Sequence, residues 1–384
     1  MQAGMEEELE QTFNAALEYI LKKIERNLDK LSNSFPFVTI NGKWEICKDE
    51  DWNLNVFSDG YWCNGFWIGM LWQVYKVSKE DKFKKKAYEL CKLIESRKDS
   101  NKVHDLGFLF YPSFCIGYDI MKDNYLKSVA LTAADSLLSR FNDKINAITV
   151  LGDPEKSGLT AIDTMMNLPL LWWAYEKTGD KRYYDVVCKH ATTTIEHFVR
   201  RDGSTYHIIE FNPATGTIKK KYTLQGYSNE SCWSRGQAWG IYGFSLAYKF
   251  SKEERFFKTA EKLADYYIAN CPSDHVPYWD FNDSEIPNAV KDSSAAAITA
   301  SGLLDLSNVE QNKTKAEKYK QMASSILASL SKNYLSVGLN SQSGILLHGC
   351  FHKPNNLGID NSLIFGDYYY LEALTKLIIE GKRV

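Results

Sequence analysis

The chain has 384 residues, with 46 basic and 48 acidic side chains that leave a formal net charge of −2. This balance argues against a nucleic-acid-binding surface, and no apolar run reaches the length of a membrane-spanning helix. No linker rich in Gly, Ser or Pro divides the sequence, so we expect one large domain over residues 1–384.

Helical periodicity divides the chain into twelve predicted helices. In chain order they cover residues 5–32, 60–78, 80–98, 106–119, 123–141, 160–178, 180–200, 232–250, 252–271, 291–306, 312–333 and 361–381. Several of them are joined by one recurring phrase: an aromatic helix end, a polar turn and a charged first turn. The phrase occupies residues 75–83, 175–183 and 248–256, with a shorter version at 118–125. Turns this short join antiparallel neighbours, so we expect six helical hairpins.

Strand signals are few. The clearest lies within 204–222, where residues 205–209 and 219–222 flank a turn at 213–216. Six αα-hairpins in an unbroken chain predict an all-α fold, a closed (α/α)6 barrel or six-hairpin toroid, with a small β-hairpin in a rim loop. An open solenoid should instead show polar capping repeats at its ends.

The helices that follow long loops carry the unusual polar and aromatic residues. They stand at 59–62, 104–108, 162–164, 233–235 and 291–293, whereas the short-turn ends carry ordinary surface charge. In a toroid the inner helices converge, and the loops at one rim enclose a pocket. We therefore expect the long-loop rim to carry the functional site.

The segment 234–240 combines Arg235, Gln237 and Trp239 with two glycines. A forked guanidinium suits a carboxylate, and an indole offers a flat apolar face to a sugar ring. The alternative is an ordinary helix start, with Ser234 as N-cap and Gln237 at the third helical position.

Two carboxylates stand in similar settings, because Asp163 enters a strongly apolar segment and Asp105 follows His104. Each could be a simple helix cap. The alternative for Asp163 is a partly desolvated carboxyl whose pKa rises towards neutrality, so that it donates a proton at about pH 6 and takes one back. Paired carboxylates in a sugar-sized cleft are typical of glycoside hydrolysis.

The eight cysteines are scattered, and no pair has C-x-x-C spacing, so they indicate small buried side chains rather than a zinc or redox site. Residues 1–8 are acidic and lack the regions of a signal peptide. We expect a cytoplasmic location, or a periplasmic one if a signal has been removed.

An ordered set of motifs across nearly the whole chain resembles the unsaturated glucuronyl hydrolases, glycoside hydrolase family 88. The motifs are residues 62–67, 104–108, 162–171, 202–207, 234–239, 292–296 and 366–374. That family is built on an (α/α)6 barrel, in agreement with the helix count obtained from periodicity.

The resemblance implies an oligosaccharide substrate left by a polysaccharide lyase, such as an unsaturated uronyl disaccharide. Its nonreducing end is a uronic acid with a C4=C5 double bond conjugated to the carboxylate. Protonation of C4 creates an oxocarbenium-like centre at C5, which water attacks, and the resulting hemiketal opens and releases the next sugar. The reactivity of this vinyl ether implies that no metal or organic cofactor is needed.

The resemblance also implies roles for individual residues. Asp163 matches the general acid/base, and Asp105 matches a second carboxylate that binds hydroxyls and keeps Asp163 protonated. The positions that match substrate-binding residues are His207, Gln225 and Arg235, and those that match aromatic walls are Trp62, Phe66 and Trp239.

Three other readings remain open at the level of the sequence. One is an unsaturated rhamnogalacturonyl hydrolase with the same fold, and another is a noncatalytic sugar-binding toroid. The third is an epimerase, which would usually use a pair of catalytic histidines that the 7 histidines here do not form by motif. Lys353 is a candidate contact to a sulfate on the second sugar, and the alternative is a solvated loop lysine.

Overall fold

The computed structural model describes residues 2–46 and 62–380. The α-helices within these residues are α1 (Gln2–Leu31), α2 (Asn64–Ser78), α3 (Asp81–Ile94), α4 (Leu106–Phe110), α5 (Ile116–Met121), α6 (Asn124–Leu138), α7 (Leu168–Thr178), α8 (Lys181–His197), α9 (Ser234–Ser251), α10 (Glu254–Asn270), α11 (Ser293–Val309), α12 (Lys313–Ser329) and α13 (Ile364–Glu380). A π-helical turn, Tyr111–Cys115, joins α4 to α5, so these two form one column and the described chain has twelve helical columns.

The columns form two concentric layers. The inner ring consists of α2, α4, α7, α9, α11 and α13; each contacts the next, and α13 contacts α2, which closes the ring. The outer layer consists of α1, α3, α6, α8, α10 and α12, so inner and outer columns alternate along the chain. The predicted (α/α)6 barrel is confirmed.

The two layers differ in the way they are buried. Every residue of α9 from Ser234 to Ala247 is buried, and so is every residue of α11 from Ser293 to Leu306. The outer helix α3 buries only one face, at positions such as Phe83, Ala87 and Leu90. A helix buried all round belongs in an interior, whereas an amphipathic helix covers it.

The four recurring turns share one geometry, which confirms them as αα-hairpin connections. In each, the residue after the first helix is left-handed, and its N–H donates to the carbonyl of a tyrosine four residues earlier. The pairs are Lys79 with Tyr75, Lys122 with Tyr118, Gly179 with Tyr175 and Lys252 with Tyr248. The side chains of Asp123 and Asp180 then cap the next helix by accepting from a backbone N–H two residues further on.

Short antiparallel strands lie at the rim. They are β1 (Pro36–Ile40) with β2 (Lys43–Ile46), β3 (Phe141–Asn142) with β4 (Ala147–Ile148), β5 (Leu159–Ala161) with β6 (Ile208–Phe211) and β7 (Ile218–Tyr222), and β8 (Gly349–His352) with β9 (Leu357–Asn361). The predicted hairpin at 204–222 is β6–β7, with Ile209 opposite Lys221, although its first strand begins at Ile208. The other strands lie outside that prediction.

The predicted helix at 160–178 is wrong in its first third. Residues 159–161 form β5, a 3₁₀ turn follows at Ile162–Met166, and the α-helix begins only at Leu168. The reason is long-range, because the N–H of Ile162 donates to the carbonyl of His207 and Thr160 pairs with Ile209. Pro169 then starts α7 at a position where its missing N–H has no helical partner to lose.

Other predicted helix ends differ more modestly. The column predicted at 80–98 ends at Ile94 and continues as a 3₁₀ turn, Glu95–Asp99, and the one predicted at 123–141 ends at Leu138. The predicted start at residue 60 lies outside the described residues. No helix within 2–46 and 62–380 combines the length and apolar character that crossing a bilayer requires.

Candidate active site

A pocket opens at the rim where the inner helices begin, which is the long-loop rim singled out by the sequence. It contains about 900 Å³ of atom-free space, part of it open to solvent. Its lining residues are Trp62, His104, Asp105, Phe108, Asp163, Leu224, Gln225, Trp233, Arg235, Trp239, Phe351, His352 and Asn355. The predicted rim segment 59–61 lies outside the described residues.

Two carboxylates and an imidazole meet on one wall of the pocket. The Nε2 atom of His104 lies 3.1 Å from Oδ1 of Asp163 and 3.4 Å from Oδ1 of Asp105. Asp105 precedes α4, and Asp163 lies in the 3₁₀ turn before α7, so two neighbouring inner columns bring them together. His104 is thus a bridge between the two predicted catalytic carboxylates.

The orientation of the His104 ring is fixed from behind. Its Nδ1 lies 3.3 Å from the carbonyl oxygen of Val150, and its backbone N–H donates to the same carbonyl at 3.2 Å. Because a carbonyl can only accept, Nδ1 carries a proton, and Nε2 is the atom left to exchange protons with the carboxylates.

The capping alternative does not describe either carboxylate. Asp105 stands at the N-cap position of α4, but its side chain accepts no helical N–H, and the N-cap of the turn containing Asp163 is Ala161. Both carboxyl groups face the pocket instead.

The two carboxyl groups have opposite electrostatic surroundings. Burial and the charge of Asp163 raise the pKa of Asp105 to about 6, against the opposing charge of His104. Burial also acts to raise the pKa of Asp163, but the hydrogen bond and charge of His104, with the charges of His207 and Arg235, lower it below its usual value. The expectation of a raised pKa for Asp163 is therefore wrong, and Asp105 is the more basic carboxylate.

The imidazole of His104 responds to both carboxylates. Burial acts to lower its pKa, but the charge of Asp105 and the hydrogen bond and charge of Asp163 raise it above its usual value. The three groups titrate as one cluster that shares protons, so a single pH-dependent step belongs to the cluster rather than to one residue.

Asn167 supports this wall from below. Its Oδ1 accepts from the N–H of Phe108 at 2.9 Å, which fixes the amide, and its Nδ2 lies 3.5 Å from Oδ1 of Asp105. The amide therefore helps to hold Asp105 in place at the start of its column.

His207 is a neutral donor in the described structure. Its Nδ1 lies 3.3 Å from the backbone nitrogen of Leu224 and 3.0 Å from Oγ1 of Thr223. Because a backbone N–H can only donate, Nδ1 accepts and the ring proton stays on Nε2. Burial lowers the pKa of His207 to about 4, and its ring packs on Trp233 at a centroid distance of 4.4 Å. His207 lies behind the lining residues, yet its charge state acts on Asp163.

Arg235 lines the pocket but is already engaged with the protein. Its Nη1 donates to Oδ2 of Asp292 at 2.6 Å and to the carbonyl of Cys350, and its Nη2 donates to Oε1 of Gln225 at 2.7 Å and to the carbonyl of Phe351. The ion pair with Asp292 is almost wholly buried. Arg235 therefore ties α9 to the strand β8 and to the loop that carries Gln225.

The alternative of a capping box at the start of α9 is wrong. The N-cap is Trp233, and the hydroxyl of Ser234 donates to the carbonyl of Trp279. The amide of Gln237 donates to the carbonyls of Gly203 and Leu263, inside the protein.

Aromatic rings form the floor and one side of the pocket. Trp62 and Trp239 line it, and both contact Phe108, at centroid distances of 5.3 and 5.2 Å. Phe66 is buried one layer deeper, 5.9 Å from Trp62 and 5.4 Å from Phe108, so it supports the wall without lining it.

Lys353 does not line the pocket either. Its ammonium lies 3.1 Å from Asp283 and 3.1 Å from Glu285, and it sits over the ring of Trp279. The predicted sulfate contact would therefore have to compete with two carboxylates.

Several pocket residues lay beyond the sequence reasoning. The sequence analysis assigns no chemical role to His104, although its position next to Asp105 on the functional rim is a usable signal. Trp233 precedes α9, Phe351 and His352 end β8, and Asn355 follows β8. Helical periodicity does not predict that these four residues line the pocket. Within 2–46 and 62–380, no group of three or more His, Cys, Asp and Glu residues is placed to hold a metal ion.

Comparison with known proteins gives a consistent result over almost the whole length of the chain. The family model described as Glycosyl Hydrolase Family 88 matches residues 19–377. An unsaturated glucuronyl hydrolase of Formosa agariphila is 38% identical over 322 residues, 82% of this chain and 79% of the relative. An unsaturated chondroitin disaccharide hydrolase of Streptococcus pneumoniae is 35% identical over 371 residues, 94% of this chain and 90% of the relative.

A solved structure shares the architecture. The unsaturated glucuronyl hydrolase of Bacillus sp. GL1, described as responsible for the degradation of glycosaminoglycan, superposes with a TM-score of 0.89 at 34% identity. The match covers 95% of this chain and 96% of that chain.

Proposed function

The chain belongs to Glycosyl Hydrolase Family 88, and from this premise we propose that it removes the nonreducing-end 4,5-unsaturated uronic acid from lyase-generated oligosaccharides by hydrating the C4=C5 bond. The observation that carries this proposal is the wall on which His104 bridges Asp105 and Asp163, in a pocket that aromatic rings also line. It places proton donors and acceptors beside a surface that suits a sugar ring.

The pocket is electrostatically suited to an anionic ring. His104 and Arg235 act to lower the pKa of Asp163, which means that positive charge acts on that carboxylate. The columns α4 and α9 also begin at the pocket, and helix N-termini favour negative charge. A uronate carboxylate is stabilised by both contributions.

The chemical step needs one proton donor and one returning base. Asp163 gives a proton to C4, and the electrons of the C4=C5 bond form the new C–H bond. Water adds to the resulting cationic C5, and its proton returns to Asp163. The C5 hemiketal then opens by breaking the bond to the ring oxygen, and the exposed C1 centre expels the second sugar.

Proton supply to Asp163 follows from the cluster geometry. The pKa values favour a proton on His104 and Asp105 rather than on Asp163. A bound uronate adds negative charge and excludes water, and both effects raise the pKa of a neighbouring carboxyl. Since His104 Nε2 is within 3.4 Å of both carboxylates, it transfers the proton from the Asp105 side to Asp163 when substrate binds.

The substrate class we propose is a disaccharide of glycosaminoglycan origin. The relatives named for chondroitin disaccharides and for glycosaminoglycan degradation support this choice. Trp239 and Trp62 would pack against the uronate ring, and Gln225 would offer its amide N–H to ring oxygens, while His207 would act from behind the lining residues.

The test is turnover of a panel of unsaturated disaccharides, sulfated and unsulfated, followed by the loss of ultraviolet absorbance of the conjugated alkene. In deuterated water, one deuterium should appear at C4 of the released uronate. Asp163→Asn should lower turnover by at least the roughly 10²–10⁴-fold of general acid–base catalysis, while binding persists. Wild-type binding without turnover would instead identify a noncatalytic sugar-binding protein, and a product without C4 deuterium would contradict hydration.

We also propose that the protein acts in the cytoplasm. Six cysteines within the described residues are free thiols, which is typical of reducing compartments; they are Cys91, Cys115, Cys188, Cys232, Cys271 and Cys350. Fractionation of the source cells, followed by detection of the chain, tests this location.

A further inference from the structure

Arg140 is a buried cation directly behind the candidate active site. It follows α6, is fully buried, and donates from Nε to the carbonyl of Thr149 at 2.6 Å. Its Nη2 donates to the hydroxyl of Thr149 and to the carbonyl of Gly152, each at 3.2 Å, and its Nη1 donates to the carbonyl of Asn101. Among residues 2–46 and 62–380, no carboxylate forms an ion pair with it.

A buried cation without a paired anion is unfavourable, so its retention calls for a physical reason. Burial lowers the pKa of Arg140 to about 10, and Asp105 is the acidic residue whose charge opposes this. Asp105, a member of the active-site cluster, therefore acts on Arg140 through its charge and without a hydrogen bond between them.

The bonds of Arg140 also hold the backbone that orients His104. Thr149 and Gly152 lie on either side of Val150, whose carbonyl accepts from both the ring and the backbone of His104. Asn101 lies three residues before His104, and between them Val103 pairs with Leu151 as an isolated bridge. One guanidinium thus clamps the two segments that meet behind the imidazole.

We propose that Arg140 is a positioning residue for the His104–Asp105–Asp163 cluster, holding the His104 ring through residues 149–152 and supplying the buried positive charge that faces Asp105. The proposal rests on the proposed function, because it assigns Arg140 a part in setting the pH range of that activity. Arg140 touches no substrate and takes no proton.

Besides Arg140, three titratable or charged residues outside the cluster act on it: His190 on α8, His207 before β6 and Arg235 on α9. Within the cluster, His104, Asp105 and Asp163 also act on one another. Burial lowers the pKa of His190 to about 3, so this residue stays neutral, and Arg140 and Arg235 are the permanent cations.

The experiment compares Arg140→Gln with Arg140→Lys by the pH dependence of kcat/KM on an unsaturated disaccharide. The positive charge of Arg140 lowers the pKa values of His104 and Asp105, so its removal raises both. The limbs of the profile in Arg140→Gln should therefore move towards alkaline pH by about one pH unit, as expected for a nearby unit charge in a medium of effective dielectric constant near 20. Arg140→Lys keeps the charge and should keep the limbs in place while kcat falls, because an ammonium cannot make the four bonds of the clamp.

Arg200 provides a matched control. It is half-buried, and its guanidinium donates to Oγ of Ser204 and to the carbonyls of Thr205 and Ser231, without an ion pair to any described carboxylate. Arg200→Gln should lower thermal stability and leave both limbs unmoved. An unmoved or acid-shifted limb in folded Arg140→Gln, or the same shift in Arg200→Gln, overturns the proposal.

A second readout needs no turnover. The imidazole nitrogens of His104, assigned with His104→Gln, are titrated by nuclear magnetic resonance in the wild-type chain and in Arg140→Gln. A higher titration midpoint in Arg140→Gln supports the proposal, and an unchanged one contradicts it. A wild-type chain that titrates in this way but turns over no unsaturated disaccharide would refute the proposed function alone. If Arg140→Gln does not fold, Arg140→Lys decides, since a limb shift with the charge retained also contradicts the proposal.

Discussion

Asp105 and Asp163 are chemically identical side chains that the fold places in different surroundings. Asp105 is more deeply buried and faces the charge of Asp163, so its pKa rises to about 6. Asp163 accepts from His104 and is subject to the positive charge of Arg235, so its pKa falls. Asp105 is therefore the carboxyl group that keeps a proton to higher pH, and Asp163 is the one that is ionised. His104 lies between them.

The pH profile of Asp105→Asn tests this division. The negative charge of Asp105 raises the pKa of His104, so its removal lowers the pKa of the remaining cluster. A group that must be protonated for activity then loses its proton at lower pH, and the alkaline limb of kcat/KM moves towards acid. An unmoved limb in a variant that stays active would leave Asp105 as a hydroxyl-binding residue only.

Arg235→Lys should lower stability and activity together. An ammonium cannot reach the four acceptors that the guanidinium now serves, and each lost bond to a charged group costs about 1.5–3 kcal/mol. We expect the unfolding free energy to fall by at least about 2 kcal/mol and kcat/KM by at least about tenfold, measured by denaturant unfolding and by steady-state kinetics well below the melting temperature.

The control for that substitution is Arg182→Lys, because Arg182 is an exposed residue paired with Asp180. A surface change of this kind shifts stability by no more than about 0.5 kcal/mol. An Arg235→Lys enzyme that equals wild type in both measurements would mean that the clamp to β8 is dispensable.

At the scale of the helices, glycines allow neighbouring columns of the inner ring to pack closely. A Cβ on Gly65 would lie 2.3 Å from the carbonyl oxygens of Phe108 and Leu109, and one on Gly107 would lie 2.3 Å from the Cα of Asn167. A Cβ on Gly302 would lie 2.9 Å from the Cα of Tyr242. Neighbouring inner columns therefore touch backbone to backbone, which brings His104, Asp105 and Asp163 within hydrogen-bond distance.

Gly302→Ala should destabilise the fold. Its Cβ would press on the backbone of Tyr242 in α9, and overpacking of this kind costs about 1–3 kcal/mol. Gly4→Ala is the control, because nothing lies within 4 Å of the added Cβ in α1, and alanine favours helix. Denaturant unfolding of both variants should show a loss for Gly302→Ala and none for Gly4→Ala; equal stabilities would contradict close helix packing as the reason for glycine.

At the scale of the whole molecule, the ring depends on its last member. The helix α13 packs against α2 and α11 of the inner ring and against α1 and α12 outside it. An open solenoid keeps most of its structure when a terminal repeat is lost, because each repeat contacts only its neighbours. If α13 is lost from a closed ring, the inner helices on both sides of the gap, α2 and α11, are exposed.

We therefore propose that residues 1–384 form one cooperative domain, and truncation tests this. A chain that ends before Ile364 should lose cooperative unfolding and turnover, whereas a chain that ends after Glu380 keeps α13 and should unfold in one transition. The measurement is calorimetry, and the longer chain should give equal calorimetric and van't Hoff enthalpies. Two separate transitions in that chain, or a native-like shorter chain, would contradict a single domain.

Helical columns, hairpin turns and family membership could all be predicted from the order of the residues. Periodicity and turn chemistry act between residues a few positions apart, as in the bond from Lys252 N–H to the carbonyl of Tyr248. Such interactions involve residues that are close in the sequence, so they can be predicted from it. The motifs at 104–108 and 234–239 are recognised in the same way. The rim that bears Asp105 and Asp163 could be predicted for the same reason.

The contacts between these residues and their pKa values depend on the folded chain and could not be predicted from the sequence. His104 and Asp163 are 59 positions apart, and Arg235 bonds to carbonyls more than 100 positions away, so no local pattern records either contact. The order of the carboxyl pKa values depends on burial and on charges brought in by other helices, which is why the expectation for Asp163 was reversed. The strand at 159–161 exists because β6 is beside it, and that neighbour is supplied by the fold.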